Sequence, residues 1–297
     1  MDDDQIRLAA FDWLKEKVRL YGEVLPWTML TSGFIFNNQR IHLVGQSGIW
    51  KPQVMQLPLS IRTAFDGPYP DKLNKNGLIE YRYRGNNPNN WDNVGLYRVM
   101  EKKLPLIYFF GLLPGKYFVA FPTYIKHADP VKLVFTVQVD EIESLDSKMM
   151  VEDPNAVMFR RAYATTIAKI RIHQQGFRLR VLIAYRNQCT FCRLKHSELL
   201  DAAHIIGDNE EFGDPIVQNG LSLCKIHHAA FDNNIVGINP DYNIQVRNDI
   251  LEETDGPMLK YGLQALDNQK IILPNHRRDY PDRTRLEQRF DQFLRAS

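Results

Sequence analysis

Apolar residues recur with a helical period at the start of the chain. Their spacing within residues 4–21 is close to 3.6, at Ile6, Ala9, Ala10, Trp13, Val18 and Tyr21. The aspartates of "MDDDQIR" precede this pattern, and acidic side chains favour the N-terminus of a helix. The pattern therefore predicts one amphipathic helix.

From about Thr28 to Val139 the pattern changes to short runs of β-branched and aromatic residues. The clearest runs are "RIHLV", "LIEYRYR", "LIYFFG", "KYFVAFPTYI" and "KLVFTVQV", separated by Gly, Pro and Asn. Such runs between turn residues predict strands. We expect a β-barrel or strongly curved sheet of roughly a hundred residues or more.

The second half of the chain returns to a helical texture. An acidic stretch without a strand pattern, "DEIESLDSKMMVEDPN", places a domain boundary near residues 141–155. Residues 157–186 predict a helix with a break at Gly176. The segment "RTRLEQRFDQFLR" predicts a terminal amphipathic helix whose apolar side carries Leu286, Phe290, Phe293 and Leu294.

These patterns predict an α+β protein in three parts. The first domain covers residues 1–145, a basic helical linker covers 146–180, and a second domain covers 181–297. Composition agrees with a globular protein, since 44% of the 297 residues are hydrophobic and 24% are charged. The acidic start lacks a signal peptide's features, and no apolar run is long enough to span a bilayer. We expect a cytoplasmic protein without a membrane partner.

Charge is distributed unevenly although the net charge is only +2. No Asp or Glu occurs from Pro154 to Ser197, whereas this stretch holds Arg160, Arg161, Lys169, Arg171, Arg178, Arg180, Arg186, Arg193 and Lys195. A basic stripe of this kind neutralises phosphates on a polyanion or forms a solvated helix face. Of these residues we expect DNA-backbone contacts from Arg160, Arg161, Arg171, Arg178 and Arg180.

Cysteine spacing points to a metal. Cys189-x2-Cys192 is followed 32 residues later by Cys224-x2-His227, so two ligand pairs each lie on a tight turn. Two such pairs reach the tetrahedral geometry of structural Zn²⁺, and disulfides are disfavoured in a reducing compartment. The alternative is a set of unligated core thiols. We expect zinc to stabilise a region with little apolar core of its own.

Within this frame lies His204-x14-Asn219-x8-His228. Here the sequence resembles the HNH endonucleases of the ββα-metal group: "LLDAAHI" is similar to their first strand, "QNGLSLC" to their second, and "KIHHAAFD" to the start of their helix. The resemblance implies that His204 is the general base, that His228 binds a catalytic Mg²⁺ or Mn²⁺, and that Asn219 holds the loop orienting the base. His227 and His228 could exchange roles.

The family often has an acidic metal ligand directly before the base, where this chain has Ala203. Asp201 shares the strand parity of Ala203, and Asp232 follows His228 by one helical turn. Either carboxylate could supply the missing oxygen ligand. The alternative to a catalytic site is that His204 and His228 are structural histidines and that Asp232 is an aspartate on the helix surface.

The first half resembles the SRA-like (PUA-like) β-barrel domain of the SRA–HNH modification-dependent restriction endonucleases. The resemblance rests on "SGIWKPQ", "LPLSIRTAFDGPYPD", "GLIEYRYRGNNPNN", "DNVGLYR", "LPLIYFFGLLPGKY" and "AFPTYI". It implies that a modified cytosine is flipped into a pocket. Candidate pocket residues are Asp66 and Tyr69, with Trp50, Phe65, Tyr81 and Tyr83 behind them; each aromatic could instead belong to the barrel core.

The resemblance therefore implies cleavage of double-stranded DNA carrying 5-methylcytosine or 5-hydroxymethylcytosine, by a homodimer acting in defence against phage. An HNH nuclease reading another mark, such as a phosphorothioate, or unmodified sequence is one alternative. A modified-DNA reader that does not cut is the other.

Overall fold

The computed structural model describes residues 2–65, 72–73, 79–140 and 154–296, with side chains for all of these except 72–73 and 154–159. The chain divides into two compact units, residues 1–175 and 176–297. The predicted boundary segment and the predicted pocket residues Asp66 and Tyr69 lie largely or wholly outside the described residues. The predicted limits of a separate linker over 146–180 remain a prediction.

The first unit contains a mixed set of helices and strands. Its helices are α1 (Asp3–Tyr21), α2 (Trp27–Ser32) and α3 (Trp91–Glu101), and α4 (Pro154–Ala184) begins in this unit. Its strands are β1 (Val24–Pro26), β2 (Phe34–Phe36), β3 (Gln39–Ile41), β4 (Ile49–Trp50), β5 (Ser60–Thr63), β6 (Lys72–Leu73), β7 (Ile79–Arg82), β8 (Leu106–Leu113), β9 (Lys116–Asp129) and β10 (Val134–Val139).

Eight of these strands form one curled sheet. The order is β4-β5-β8-β9-β10-β7-β6, and β1 adds to β9. All neighbours are antiparallel except β5 and β8, which pair in parallel over Ser60–Thr63. Within the described residues β4 and β6 are the two ends and do not pair with each other. The predicted barrel is therefore a half-barrel, because the sheet stays open between these end strands.

Helix α1 is the predicted helix, but the face it packs on this sheet matches the predicted apolar face only in part: Ala10 is fully buried, as expected, whereas Tyr21 is 61% exposed. Ile6, Phe11 and Leu14 are fully buried, and the ring of Phe11 stacks on that of Phe121 in β9 with centroids 5.9 Å apart. Asp2 caps the helix by accepting from the amide of Asp4. Burial of an aromatic and two aliphatic side chains contributes roughly 1.5–3 kcal/mol each.

Helix α4 runs without interruption from Pro154 to Ala184, so the predicted break at Gly176 is wrong. A glycine within a helix costs about 1 kcal/mol relative to alanine, which is too little to end a long helix whose other residues favour it. None of the described helices combines the length and apolar character that a bilayer-crossing segment requires.

The second unit is built around two hairpins and the helices that cover them. Its strands are β11 (Leu200–His204), β12 (Gly220–Cys224), β13 (Val236–Ile238) and β14 (Ile244–Val246). Its helices, besides the end of α4, are α5 (Lys225–Asp232), α6 (Asn248–Glu252), α7 (Pro257–Gly262) and α8 (Arg283–Ala296). Strands β11 and β12 pair antiparallel, and α5 follows β12 directly.

The terminal helix α8 confirms the predicted element but not all of its apolar face. Leu286 and Phe293 are buried, whereas Leu294 is largely exposed. Arg289 of this helix donates to the carbonyl of Phe231 and lies over the ring of that residue. Helix α8 thereby holds the C-terminal end of α5.

Candidate active site

The hairpin β11–β12 and helix α5 bring the two candidate histidines and the asparagine into one small region. His204 is the last residue of β11, Asn219 directly precedes β12, and His228 lies in the first turn of α5. Within the hairpin, His204 pairs with Gly220, the residue after Asn219. Antiparallel pairing thus places the strand end carrying His204 beside the loop end carrying Asn219.

His204 is half-buried under an aromatic ring from α4. The ring of Phe177 stacks on the imidazole with centroids 4.0 Å apart and planes inclined by 14°. Gly220 makes room for this contact, because a Cβ there would lie 2.4 Å from Val181 and 2.9 Å from Phe177. The Nε2 atom of His204 is buried and has no hydrogen-bond partner in the described structure.

Burial also sets the protonation of His204. It lowers the pKa of the imidazole below its usual value; Asp208 and Asp232 oppose the shift, and His228 adds to it. The neutral imidazole is therefore the dominant form near pH 7. A neutral imidazole is the form that accepts a proton from water.

Asn219 is fully buried and ties the loop that leaves His204. Its Oδ1 accepts from the amide of Ile206 at 2.9 Å, and its Nδ2 donates to the carbonyls of Ile206 at 3.0 Å and Asp214 at 3.1 Å. The backbone carbonyl of Asn219 accepts from the amide of Ile205. These contacts fix the two residues that directly follow His204.

His228 lies between two carboxylates. Its Nε2 is 3.3 Å from Asp232 Oδ2, and its Nδ1 is 3.7 Å from Asp201 Oδ2. Asp201 is also paired with Lys225 and lies 3.5 Å from Arg178 Nε, so its charge is compensated by two cations. HNH endonucleases often have an acidic residue at the position of Ala203, which is fully buried in this chain. A carboxylate at that position would be removed from water, which is costly for a charged group.

The three cysteines and His227 form a compact cluster. Their ligand atoms, from Cys189, Cys192, Cys224 and His227, all lie within 4.8 Å of one another. The Nδ1 of His227 is 3.4 Å from Cys189 Sγ and 3.2 Å from Cys224 Sγ. Its Nε2 donates to the carbonyl of Gly262 at 2.7 Å. That hydrogen bond leaves Nδ1 free to bind a metal, as is usual for histidine ligands.

The two adjacent histidines therefore face different groups. His227 turns toward the sulfur atoms, whereas His228 turns toward carboxylates. Three thiolates and one imidazole suit Zn²⁺, and the imidazole and carboxylate of His228 and Asp232 suit a harder divalent ion. No other group of three or more potential ligands comes this close within the described part of the chain.

The five arginines expected on the DNA backbone all have partners within their own unit. Arg160 and Arg161 bind the buried carboxylate of Asp140, and Arg171 pairs with Glu23. In the second unit Arg178 donates to the carbonyls of Ser197 and Leu200, and Arg180 to that of Pro215. To contact a DNA phosphate, each of these guanidinium groups would have to give up its present partner or bind both at once.

The described residues of the expected base pocket are divided between core and surface. Tyr81 and Tyr83 are buried: Tyr81 packs edge-on against Tyr108, and Tyr83 stacks on Phe135 with centroids 4.2 Å apart. These contacts are those of core residues. Arg82 and Arg84 alternate with them and are exposed.

Two further candidates lie near the surface of the first unit. Trp50 is half-buried and donates from Nε1 to the carbonyl of His42, while Phe65 is 44% exposed. Phe65 is the last described residue before the segment that contains Asp66 and Tyr69. The role of these six residues in base binding remains a prediction.

Several contacts of the site were not predicted from the sequence. The stacking of Phe177 on His204, the pairing of Lys225 with Asp201 and the anchoring of α5 by Arg289 all join residues distant in the chain. No local motif marks them. The glycine after Asn219 was the one available signal, since a glycine inside a strand often marks a close approach of another element.

The hairpin and helix carry both histidines and the buried asparagine beside the Cys3His cluster, which is the arrangement that the sequence resemblance to HNH endonucleases implies. Comparison with protein-family models agrees, because residues 189–239 match the model of the HNH endonuclease family. The matched range includes the metal cluster, both strands of the hairpin and α5. This region is an HNH endonuclease domain, and its substrate class is DNA.

Comparison with solved structures found a similarity to a modification-dependent restriction endonuclease, TagI. The sequences are 16% identical, the match covers 80% of this chain and 82% of that chain, and the TM-score is 0.32. A search of the curated proteins found no match.

Proposed function

We propose that the protein is a modification-dependent endonuclease that cuts double-stranded DNA carrying 5-methylcytosine or 5-hydroxymethylcytosine. The nuclease part of this proposal is supported by the joint placement of His204, Asn219 and His228 on one hairpin and helix. The observation behind the choice of substrate is the resemblance of the first half to SRA-like domains. Cleavage would take place in the second unit.

His204 acts as the general base in this proposal. Its pKa is lowered by burial, so the imidazole is neutral at physiological pH and able to accept a proton from an attacking water. Phe177 restricts the ring to one plane, and Asn219 fixes the backbone that follows it. Water then attacks phosphorus, and the bond to the departing 3′ oxygen breaks.

We assign the catalytic divalent ion, Mg²⁺ or Mn²⁺, to His228 and Asp232. An ion on Nε2 of His228 would lie on the same side of the ring as Asp232, whereas Asp201 faces Nδ1 and is compensated by Lys225. Asp201 then orients the ring of His228 from behind. The ion would stabilise negative charge on the phosphoryl group and the departing oxygen.

We assign structural Zn²⁺ to Cys189, Cys192, Cys224 and His227. Three thiolates, together with an imidazole whose other nitrogen is held by a carbonyl, are the donor set of closed zinc sites. The cluster joins the end of α4 to the start of α5, at either side of the hairpin that carries the active site. Zinc would thereby fix the ends of the catalytic hairpin.

The first unit would select the substrate. In the proposal its curled sheet is an SRA-like fold that holds a flipped cytosine, with Asp66, Tyr69, Trp50, Phe65, Tyr81 and Tyr83 as the pocket. Basic residues of α4 would contact the DNA backbone. Two copies would cut the two antiparallel strands, which makes the active form a homodimer, and the cell would use it in the cytoplasm against modified phage DNA.

Digestion of one DNA sequence prepared with cytosine, 5-methylcytosine or 5-hydroxymethylcytosine tests the proposal. We expect cutting of a modified DNA with Mg²⁺ or Mn²⁺ and none in EDTA. Equal cutting of all three DNAs would contradict the selection of a modified base, while the assignment of nuclease activity would still hold. Cutting of only a phosphorothioate copy would assign another mark, and binding of modified DNA without cutting would favour a reader.

A further inference from the structure

An exposed aromatic ring projects from the loop that connects the base to the asparagine. This connecting loop comprises residues 205–218, between His204 and Asn219, and Phe212 lies in it with 61% of its surface exposed. The backbone of Phe212 has φ 70°, a left-handed conformation that is a steric outlier for a bulky side chain. Neither burial nor local conformation accounts for a phenylalanine here.

Polar contacts hold the backbone on both sides of Phe212. Arg285 of α8 donates from Nε to the carbonyl of Phe212 at 3.0 Å, and Asn219 donates to the carbonyl of Asp214 at 3.1 Å. Gly213 closes the turn, because a Cβ there would lie 1.9 Å from the carbonyl oxygen of Gly207. The exposed position of the ring is thus imposed by the loop rather than by packing of the ring itself.

The position in the chain connects this ring to the chemistry. The loop begins at the general base His204 and ends at Asn219, whose side chain binds both Ile206 and Asp214. Asp208, also in the loop, acts electrostatically on His204. The loop therefore starts and ends at two residues of the candidate site, and its backbone is tied to Asn219 at Ile206 and Asp214.

We propose that Phe212 is an apolar wedge that inserts against a base step of the DNA beside the phosphate to be cut. Proteins that bend DNA insert such side chains between base pairs, and an aromatic face stacks on any base. This inference rests on the proposed cleavage of duplex DNA. The wedge would hold the scissile step open and fix the register of the phosphate, without reading the sequence.

Binding by a catalytically inactive protein tests the wedge separately from cleavage. In the His204→Ala background, Phe212→Ala is compared with Leu294→Ala, which removes an exposed apolar side chain from α8. We expect Phe212→Ala to weaken binding of the duplex roughly 5- to 150-fold, from the energy of one stacked base. Leu294→Ala should leave the affinity unchanged, and Phe212→Trp should keep it.

Two further measurements exclude a merely structural role for Phe212. Phe212→Gly should melt at the same temperature or higher, because glycine adopts a φ of 70° without strain, yet bind as weakly as Phe212→Ala. Duplexes that carry 2-aminopurine at successive positions around the mapped cleavage site give the second measurement. The 2-aminopurine fluorescence should increase when the duplex binds the His204→Ala protein, and it should not increase when the duplex binds the double variant with His204→Ala and Phe212→Ala.

Unchanged affinity and unchanged fluorescence in Phe212→Ala would overturn the wedge. A changed oligomeric state with unchanged DNA affinity would overturn it too, and would assign the ring to a protein contact. If wild-type protein cuts no DNA under any condition, the proposed function fails. If the wild-type protein cuts DNA and the Phe212→Ala variant binds DNA with unchanged affinity, only the wedge proposal is contradicted and the proposed function stands.

Discussion

The ring of Phe177 lies nearly parallel to the imidazole of His204, with centroids 4.0 Å apart. This contact connects a residue of α4 to the candidate base at the end of β11, and it exists because Gly220 has no side chain. Stacking limits rotation of the imidazole and excludes water from one of its faces. The contact is thus part of the burial that lowers the pKa of His204, and it also orients the ring.

Replacing Phe177 with leucine should slow cleavage more than it weakens substrate binding. A stacked aromatic pair contributes about 0.5–1.5 kcal/mol, so we expect kcat to fall roughly 2- to 13-fold at nearly constant KM. Phe191→Leu is a matched control, since Phe191 packs near His227 on the metal side. Equal losses of kcat in the two variants would contradict a positioning role for Phe177.

Cleavage should persist below the ordinary pKa of histidine. Because the folded-state pKa of His204 is lowered from 6.5, the imidazole stays neutral to a lower pH. Single-turnover rates at saturating Mg²⁺ should show an acid limb with a midpoint below 6.5, and Phe177→Leu should move the midpoint upward by admitting water. A midpoint above 6.5 in the wild type would contradict this assignment.

The same shift affects stability, with a definite sign. Between the lowered folded pKa and the unfolded value of 6.5, the unfolded chain binds more protons than the folded one. The free energy of unfolding therefore falls as the pH drops through this window. Denaturant titrations should find a smaller pH dependence there for His204→Gln than for the wild type; an identical pH dependence would argue that the histidine does not titrate differently on folding.

Loss of the metal cluster should unfold the second unit, although that unit has an extensive apolar core, so the expectation of little apolar core is wrong. A structural zinc contributes about 10–16 kcal/mol in zinc-finger peptides, which is comparable to or larger than the whole stability of a typical domain, about 5–15 kcal/mol. We expect Cys189→Ser to abolish zinc binding and the cooperative melting of residues 176–297, with activity that added Mg²⁺ does not restore. His196→Ala, an exposed histidine outside the cluster, is the control. A cooperatively folded Cys189→Ser protein without zinc would refute the structural assignment.

The two carboxylates beside His228 should differ in their effect on the catalytic ion. Asp232→Asn removes the proposed ligand, so the Mg²⁺ concentration for half-maximal cleavage should rise by about tenfold to a hundredfold or more. Asp201→Asn should raise it less, because Asp201 is compensated by Lys225 and faces the other ring nitrogen. If Asp201→Asn raised the required Mg²⁺ concentration more than Asp232→Asn did, Asp201 would be the metal ligand and Asp232 the residue that orients His228.

Elements fixed by local spacing were the ones predictable from the sequence. The helix of residues 3–21 follows from its apolar period, and the cluster of Cys189, Cys192, Cys224 and His227 follows from two ligand pairs on tight turns. In the helix and within each ligand pair, residues close in sequence determine the geometry, whereas the need of one tetrahedral metal for four ligands joins two pairs that lie 32 residues apart. The half-barrel is different, because the parallel pairing of β5 with β8 joins strands more than forty residues apart.

Long-range packing explains what the sequence left open. Whether Asp201 or Asp232 serves the ion depends on which nitrogen of His228 each one faces, and that follows from the position of α5 against β11. The contact between Phe177 and His204 likewise depends on how α4 crosses the hairpin. No period or motif in the chain records such placements.

The most direct test of the HNH site is the cleavage rate of wild type beside His204→Ala on one modified DNA, with saturating Mg²⁺. We expect the variant to fold and bind zinc like the wild type, because His204 is outside the Cys3His cluster, and to cut at least about a hundredfold more slowly. A folded His204→Ala protein that cuts at the wild-type rate would contradict the account.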